Sequence, residues 1–439
     1  MKKLIFSFIV FMCGMSVWAS PNSIVKHAIN KAEISKTALI GVSFKDVNSK
    51  KDVVTYNSML PMSAASVQKV VTTVYDINKV GVDYQLKTQL FKDKNNNVYL
   101  KLGADPYFTS GILNDMIKNL KMECINKFYI DDSVVDRIEW GEGWQWDNTL
   151  NTYMPKFSAY NIDSNLISFV VRPTKKNMMA EIYPLVFYPL VFKNDVITGY
   201  NNNLKFFSQD YMKPDFIEVS GTVNSKVVKQ IPVNDLKKYF ILRIKDALRE
   251  NKIAYYGKYE YKKVPSDAVL VAQTVTPVEK LIVDILQNSN NVTAETLFKI
   301  VGDGTTDSSI KDLEKYYTDR NINVDSIKLT DASGVSKNNL MTADFIANVL
   351  LDNYFQEHPI KSYMAIPGVG TLSNRMFYLK GKLIAKTGTL QNVSALAGYL
   401  TAESGKTYAF CIIINDAKSS SFDKKAFEEY VIRNAYETL

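Results

Sequence analysis

The chain has 439 residues, more than one average domain needs, and its composition (46% hydrophobic, 22% charged) is that of a globular protein. It contains only two histidines, which argues against most zinc peptidases and against a Ser-His-Asp triad. The net charge of +8 is spread along the chain without a dense basic segment, so no nucleic-acid partner is predicted.

The first predicted element is an export signal over residues 1–19. Lys2 and Lys3 precede an apolar run that is short for a membrane span, and cleavage is expected after Ala19 or Ser20. The alternative is an N-terminal anchor that is not removed. No later segment is long and apolar enough for a membrane helix, so no integral membrane segment is expected after cleavage.

The N-terminal part then predicts two strands, Ala38–Phe44 and Val53–Tyr56, around a polar turn. A helix is predicted from Ala65, because valines and isoleucine recur at helical spacing. From Tyr84 to Ala268 the pattern changes to many short strands separated by Asn-rich turns, which indicates an insertion of one or two β-rich units.

A long helix is predicted from Pro277 to Gly302. Near the C-terminus, strands are predicted over Val393–Leu400 and Thr407–Ile414, and a final helix over Asp423–Tyr436. The simplest assembly is an α/β (α+β) fold with one antiparallel sheet built from both ends of the chain and flanked by helices. Cys124 and Cys411 lie in apolar, strand-like runs, which favours two buried thiols. A disulfide between them is the alternative.

Ser66-Val67-Gln68-Lys69 is the sharpest chemical feature of the sequence. Residues three apart share one face of a helix, so the Lys69 amine lies beside the Ser66 hydroxyl. A lysine deprotonated by burial can act as the base for a serine nucleophile. The spacing alone is weak evidence, because it occurs at four serines: Ser23, Ser66, Ser308 and Ser421. Ser66 differs because the helix that follows it is apolar enough to be buried. The other three serines are expected to be helix N-caps with solvated lysines.

A second feature is the segment Asp331–Asn339, in which Ser336 and Asn338 stand in a Ser-x-Asn arrangement. A loop of this kind can present a hydroxyl and a carboxamide to one cavity. Because Ser, Gly, Asn and Asp are also turn formers, a plain turn is the alternative.

A third feature is Lys386-Thr387-Gly388, which follows an apolar run and is predicted on a strand. Lys386 and Gly388 then share one face and Thr387 the other, unless the strand is at a sheet edge whose rim is the site. A lysine and a hydroxyl can bind a carboxylate, and a glycine lets a ligand approach the backbone. The alternative is a lysine at a strand end before a turn.

In this order, the three motifs resemble the S-x-x-K, S-x-N and K-T-G set of acyl-serine, penicillin-recognising enzymes. Ser336 lies 270 residues after Ser66, and Lys386 only 50 residues later. A large insertion in the first interval is similar to the D-alanyl-D-alanine carboxypeptidase/endopeptidase family of penicillin-binding protein 4 (peptidase family S13). The resemblance extends over nearly the whole mature chain through four further stretches: Leu102–Pro106, Trp144–Asn148, Ser289–Phe298 and Gly370–Arg375.

The resemblance implies a role for each catalytic residue. Ser66 is expected to be the nucleophile and Lys69 its base. Ser336 is expected to pass the proton to the leaving D-alanine amine. Asn338, or Asn339 if the loop is shifted by one residue, is expected to hold the substrate amide and the active-site lysines.

The resemblance also implies how substrate binds. Lys386 and Thr387, with Gly388 on the same strand, are expected to bind the terminal D-alanine carboxylate, and the N–H groups of Ser66 and Thr389 to form the oxyanion hole. Water would then hydrolyse the acyl-enzyme. No metal or organic cofactor is implied, and the expected partners are stem peptides and cross-links of peptidoglycan, and β-lactams.

One stretch departs from the family pattern. The family's W-x-W-D-D segment ends in an acid that helps to bind the free amine of the peptide's diamino acid, and here that position is Asn148. Asp147 precedes it and Tyr153 follows at the family's spacing. Loss of one carboxylate weakens an ammonium contact, so the preference for diaminopimelate is open.

The family pattern predicts a periplasmic enzyme, soluble or loosely attached to the membrane, with a catalytic domain over residues 21–82 and 269–439. An inserted β-rich domain is predicted over residues 83–172 and 223–268, and a small nested domain over 173–222. Two other functions are weighed against the peptidase: a β-lactamase of the same fold, and a scaffold that binds wall peptides without catalysis.

Overall fold

The computed structural model describes residues 21–145, 147, 149–208 and 215–439. The predicted export signal therefore lies outside the described residues. In the part of the chain that is described, no helix combines the length and apolarity that a membrane crossing requires.

The central sheet is built from both ends of the chain, as the sequence predicts. Its strands are β1 (Leu39–Asp46), β2 (Asp52–Tyr56), β14 (Leu383–Leu390), β15 (Val393–Thr401) and β16 (Thr407–Asn415). Their order in the sheet is β14-β15-β16-β1-β2, and every neighbouring pair is antiparallel. β14, which carries the Lys-Thr-Gly motif, is an edge strand.

Helices cover both faces of this sheet, which explains why β16 is apolar at nearly every position. Phe410 and Ile412 pack in one hydrophobic cluster with residues of the first and last helices. Cys411 and Ile413 point to the opposite face, into a second cluster with the helices around Ser66. The nine helices of the described chain are α1 (Pro21–Lys31), α2 (Gln68–Val80), α3 (Ser110–Lys118), α4 (Leu236–Glu250), α5 (Val278–Val283), α6 (Asn291–Val301), α7 (Thr306–Asp319), α8 (Ala343–Asn353) and α9 (Ser421–Thr438).

The long helix predicted over Pro277–Gly302 is interrupted. α5 continues into a π-helical turn, Asp284–Asn288, and Ser289 then adopts a left-handed conformation (φ 63°). Asn290 caps α6 by accepting a hydrogen bond from the Thr293 N–H at 3.1 Å. Serine and asparagine favour caps over helix interiors, so the polar run at this point ends one helix and starts the next.

Among the described residues, the inserted region and the strand that follows it form three sheets. One has the order β12-β5-β4-β3-β13, a second β11-β6-β7 and a third β8-β10-β9. The strands are β3 (Gln85–Lys92), β4 (Val98–Lys101), β5 (Phe128–Asp131), β6 (Leu166–Arg172), β7 (Glu181–Pro184), β8 (Val191–Thr198), β9 (Asn203–Phe207), β10 (Phe216–Val223), β11 (Val227–Pro232), β12 (Tyr259–Tyr261) and β13 (Val269–Pro277). β6 and β7 pair across the predicted boundary at residues 172/173, so the domain limits stay a prediction.

The two cysteines among the described residues, Cys124 and Cys411, are free thiols. Cys411 is buried in the sheet, whereas Cys124 is exposed, so the expectation of two buried thiols is wrong for Cys124. Cys124 lies outside the regular strands, in an isolated bridge with Ala254, and this position leaves its side chain at the surface.

A buried ion pair fastens the loop before β14 to α9. Arg375 contacts Glu428 at 2.9 Å and Glu429 at 3.0 Å, and Glu428 also accepts a hydrogen bond from Ser394 at 2.6 Å. The side chain of Glu428 is fully buried and that of Arg375 is 14% exposed.

The Arg375→Met variant is expected to unfold more easily, by about 3 kcal/mol or more, because it leaves the Glu428 charge buried without its partner. Urea denaturation measures this loss. Arg320→Met is the matched control, since it removes a more exposed pair with Asp352 that is expected to contribute about 1 kcal/mol at most. Equal losses in the two variants would contradict the expectation.

Candidate active site

Ser66 lies in a tight helical turn, Ala65–Val67, immediately before α2. Ala65 adopts a left-handed conformation (φ 48°), which non-glycine residues rarely adopt. The neighbours Ala65 and Val67 are buried, while Ser66 is partly exposed. Strained backbone of this kind is concentrated at functional sites, where the surrounding structure holds it in place.

Two glycines allow other segments to pack against this turn. A Cβ atom on Gly334 would lie 2.0 Å from the carbonyl oxygen of Ala65, and one on Gly388 would lie 2.7 Å from that of Ala64. Gly388 is buried against the turn that carries Ser66. The sequence suggests that a ligand approaches the backbone here, but in the structure this turn does so. Because Gly334 and Gly388 have no side chains, β14 and the loop after α7 can contact the turn that carries Ser66.

Lys69 is fully buried and has three oxygen partners: Ser66 Oγ at 2.9 Å, Asn291 Oδ1 at 2.6 Å and the Ser333 carbonyl at 2.6 Å. The two carbonyl-type oxygens only accept hydrogen bonds. They take both hydrogens of a neutral amine, so its lone pair faces the Ser66 hydroxyl. The amide of Asn291 is oriented by its own N–H₂ group, which donates to the carbonyl of Tyr153 at 2.7 Å.

Burial also brings Lys69 into the protonation range of a general base. It lowers the pKa of this amine to about 7, while the carboxylates of Asp331 and Glu295 act in the opposite direction. Because the lowering effect is larger, a substantial fraction of Lys69 is neutral near pH 7.

Ser289 and Asn291 are the functional candidates that the motif assignment missed. Ser289 Oγ accepts a hydrogen bond from Lys386 Nζ at 2.8 Å, and Asn291 contacts Lys69. The break between the two helices places both side chains beside the lysines. The signal was present, because Ser289-Asn290-Asn291 is also a Ser-x-Asn sequence and stands at a predicted helix.

Ser336 and Asn338, expected in the site, contact their own loop or solvent in the structure. Ser336 is fully buried, and its hydroxyl accepts hydrogen bonds from Thr330 Oγ1 at 2.9 Å and from the Asn338 N–H at 3.2 Å. The side chain of Asn338 is exposed. The hydroxyl and carboxamide that contact Lys69 and Lys386 belong to Ser289 and Asn291 instead.

The alternative residue, Asn339, is also turned into its own loop. It accepts from the Thr330 N–H at 2.8 Å and donates to Asp331 Oδ1 at 2.7 Å. Asp331 further accepts the N–H groups of Gly334 and Ser336 at 2.9 and 2.7 Å. The motif Asp331–Asn339 therefore folds around a buried carboxylate and presents the Ser333 carbonyl to Lys69.

Lys386 is a second buried amine. Its Nζ donates to Ser289 Oγ at 2.8 Å and to the Thr387 carbonyl at 2.7 Å. Burial, and then repulsion by Lys69, lower the pKa of Lys386 well below its usual range. β14, which carries Lys-Thr-Gly, lies at the edge of the sheet. This is the case in which the free edge of the strand, rather than one of its faces, lines the site.

A cavity of about 490 Å³ opens over Ser66. Tyr153 is 81% exposed and lines it, whereas Asp147 is exposed but is not among the lining residues. Asn148 lies outside the described residues. The full described lining is Ser66, Gln145, Asn151, Tyr153, Met154, Asn291, Val335, Lys337, Thr389, Leu390 and Gln391.

No group of three or more metal-ligating side chains occurs among the residues that the structure describes. The reactive groups are a serine, two buried amines and polar groups that orient them. This arrangement is typical of serine hydrolases, with an amine where many of them carry a histidine.

The sequence profile of the family described as D-Ala-D-Ala carboxypeptidase 3 (S13) matches residues 22–435. The chain belongs to this family, which confirms the assignment made from the motifs. It is therefore a serine-type hydrolase.

Individual relatives agree with this assignment. D-alanyl-D-alanine carboxypeptidase DacB of Haemophilus influenzae is 24% identical over 436 residues, 91% of either chain. The crystal structure of penicillin binding protein 4 from that organism aligns with a TM-score of 0.83 at 24% identity, covering 94% of this chain and 99% of that one. A predatory peptidoglycan endopeptidase of Bdellovibrio bacteriovorus aligns with a TM-score of 0.52 at 16% identity, covering 91% and 94%. These structural likenesses show the shared fold and confirm the predicted fold class.

Proposed function

We propose that this protein is a serine D-alanyl-D-alanine carboxypeptidase that also cleaves D-alanyl cross-links of peptidoglycan through an acyl-Ser66 intermediate. The main support is the contact between Lys69 Nζ and Ser66 Oγ at 2.9 Å. The other two partners of this amine are carbonyl-type oxygens, which leave its lone pair facing Ser66. The family assignment supports the substrate class, and the geometry supports the role of each residue.

In the acylation step, Lys69 takes the proton of the Ser66 hydroxyl while Ser66 Oγ attacks the carbonyl carbon of the penultimate D-alanine. A tetrahedral oxyanion forms. Its collapse breaks the C–N bond to the leaving amine, which takes the proton of the Ser289 hydroxyl. The proton that Lys69 gained from Ser66 then replaces the one lost from Ser289, so both groups return to their starting state. Ser289 is suited to this transfer because Lys386 donates a hydrogen bond to its oxygen and so favours release of its own proton.

The edge strand supplies one half of the oxyanion hole. The N–H of Ala385 points away from β15, since it donates to the Ala365 carbonyl at 2.9 Å. In an antiparallel edge strand the direction of the N–H alternates with a period of two, so the N–H groups of Thr387 and Thr389 also point outward. Thr389 lines the cavity beside Ser66, and its N–H with that of Ser66 forms the proposed hole.

The C-terminal carboxylate of the substrate is proposed to bind at Lys386 and Thr387. Among the described residues, the Lys386 amine has two neutral oxygen partners, Ser289 Oγ and the Thr387 carbonyl, and a bound carboxylate would stabilise its charged form. The same substrate charge keeps the terminal D-alanine next to Ser289, where its amine leaves.

The cavity lining favours slow deacylation of bound β-lactams over β-lactamase activity. No carboxylate is found among the described lining residues of the cavity. Glu295, near Lys69, is buried, and its carboxylate is engaged by the N–H groups of Ala332 and Ser333. A β-lactam, whose structure imitates the D-alanyl-D-alanine end, is therefore proposed to acylate Ser66 and remain attached.

Recognition of the diamino acid is proposed to differ from the family pattern. The charged side chain in the described lining is Lys337, which suits a carboxylate of the stem peptide. An ammonium group would have to reach Asp147, outside the lining. Export to the periplasm after cleavage of residues 1–19, with stem peptides and cross-links as partners, completes the proposal.

The proposal is tested by incubating the purified mature protein with pentapeptide monomers and with cross-linked peptide dimers, followed by chromatography and mass analysis. Loss of the terminal D-alanine from monomers, and conversion of dimers to monomers, are the expected results. Destruction of a penicillin without peptide cleavage would instead establish the β-lactamase. Peptide binding without cleavage would establish the scaffold.

A further inference from the structure

Glu295 connects to the active-site lysine through one residue. It lies on α6, one turn after Asn291, and is only 1% exposed. Its carboxylate accepts the N–H of Ala332 at 3.1 Å and that of Ser333 at 2.8 Å. The carbonyl oxygen of the same Ser333 accepts a hydrogen bond from Lys69 Nζ at 2.6 Å.

We propose that Glu295 is a positioning residue for the general base. By holding the N–H groups of Ala332 and Ser333, it fixes the carbonyl that takes one hydrogen of Lys69 and thereby turns the lone pair of the amine toward Ser66. The inference rests on the proposed function, in which Lys69 is the base. It assigns the buried carboxylate to the orientation of the amine, whereas a purely structural carboxylate would only stabilise the loop.

The charge of Glu295 gives it a second influence on Lys69. The titratable groups around it are Lys69 and Asp76 from α2 and Asp331 from the loop after α7, whereas Lys299 on α6 pairs with Asp136 at 2.6 Å. Burial raises the pKa of Glu295 to about 7, and repulsion by Asp331 adds to this effect. Burial and repulsion by Glu295 raise the pKa of Asp76 well above its usual range.

These directions fix the sign of the expected pH effect. Acylation needs neutral Lys69, so its rate falls as the pH decreases through the pKa of this amine, about 7. An ionised Glu295 raises the pKa of Lys69. Removal of that charge therefore lowers the pKa of Lys69 and moves the acid limb of the pH profile to lower pH.

Two variants separate orientation from charge. Glu295→Gln keeps an oxygen that accepts the Ser333 N–H, so the rate constant for acylation by a penicillin should stay near the wild-type value at high pH. Its acid limb should move down by about half a pH unit. Glu295→Leu has no acceptor, and misplacement of the carbonyl should lower the rate constant about 100-fold at every pH.

A stability measurement provides a readout that does not depend on catalysis. The pKa of Glu295 is about 7 in the folded protein against an ordinary value of 4.5. The folded state therefore holds the extra proton between these values, and the stabilisation is lost as the pH rises through 7. In Glu295→Gln, the free energy of unfolding should therefore fall less between pH 4.5 and 7 than it does in the wild type.

The matched control is Glu139→Gln, which alters another glutamate whose pKa burial raises, in the inserted region beside Lys156. Its acylation profile should coincide with that of the wild type. Two results together would overturn the inference. The pH profile of acylation would be the same in the wild type and in Glu295→Gln, and Glu295→Leu would lose activity only in proportion to its loss of folded protein. Absence of acylation in the wild type would instead remove the proposed function, and the inference with it.

Discussion

Replacing Ser66 by alanine is expected to abolish the covalent adduct that the wild-type protein forms with a penicillin. Ser66 is partly exposed at the base of the cavity, and its hydroxyl is the one that contacts Lys69. Without that oxygen no acyl-enzyme forms, so release of D-alanine should fall by a factor of about 10⁴ or more. Intact-mass measurement detects the adduct of one drug molecule, and amino-acid analysis detects the released D-alanine.

Ser421→Ala is the matched control for this variant. Ser421 has the same spacing to a lysine as Ser66, but Lys424 donates to the carbonyls of Asp416 and Ser419 at 2.9 and 2.8 Å. Its adduct and its peptidase rate should equal those of the wild type. An adduct that persists in Ser66→Ala, or is lost in Ser421→Ala, would show that the nucleophile has been misassigned.

The Ser289→Ala and Ser336→Ala variants are expected to differ strongly. Loss of the Ser289 hydroxyl removes the group that contacts Lys386 and is proposed to protonate the leaving amine, so kcat/KM for peptide cleavage should fall about 10² to 10³-fold. Loss of the Ser336 hydroxyl removes a hydrogen bond to Thr330 within a buried loop. It should cost about 1 kcal/mol of unfolding free energy and leave kcat/KM almost unchanged.

The comparison is made by steady-state kinetics with a D-alanyl-D-alanine peptide and by urea denaturation of both variants. The reverse pattern, with Ser336→Ala inactive and Ser289→Ala active, would restore the assignment made from the sequence. Two inactive but folded variants would place the loop Asp331–Asn339 in the reaction as well.

The sequence was sufficient to predict the central sheet and the buried helix that follows Ser66. Apolar strands at both ends, and helical spacing after Ala65, indicate the sheet domain and the buried start of the helix that carries Lys69. For the second motif, two Ser-x-Asn sequences lie between Lys69 and the Lys-Thr-Gly strand, at Ser289 and at Ser336. Their spacing gives no information about which one faces the lysines.

What selects between them is three-dimensional. The π-helical turn before Ser289 and its left-handed backbone break a pattern that reads as one continuous helix. Asp331 folds the competing loop inward by accepting hydrogen bonds from Asn339 in the same loop and from Trp144, which is 187 residues away in the chain. Such contacts are not visible in periodicity or local propensity.

The pairing of β1 with β16 joins residues more than 360 positions apart, such as Leu39 and Asn415. Closing a loop of that length is entropically costly and slow. During synthesis, β1 and the Ser66 turn therefore lack the strands β14–β16 against which they pack. Ser66, Lys69 and Lys386 can therefore come together only after the strands from Leu383 to Asn415 have been made.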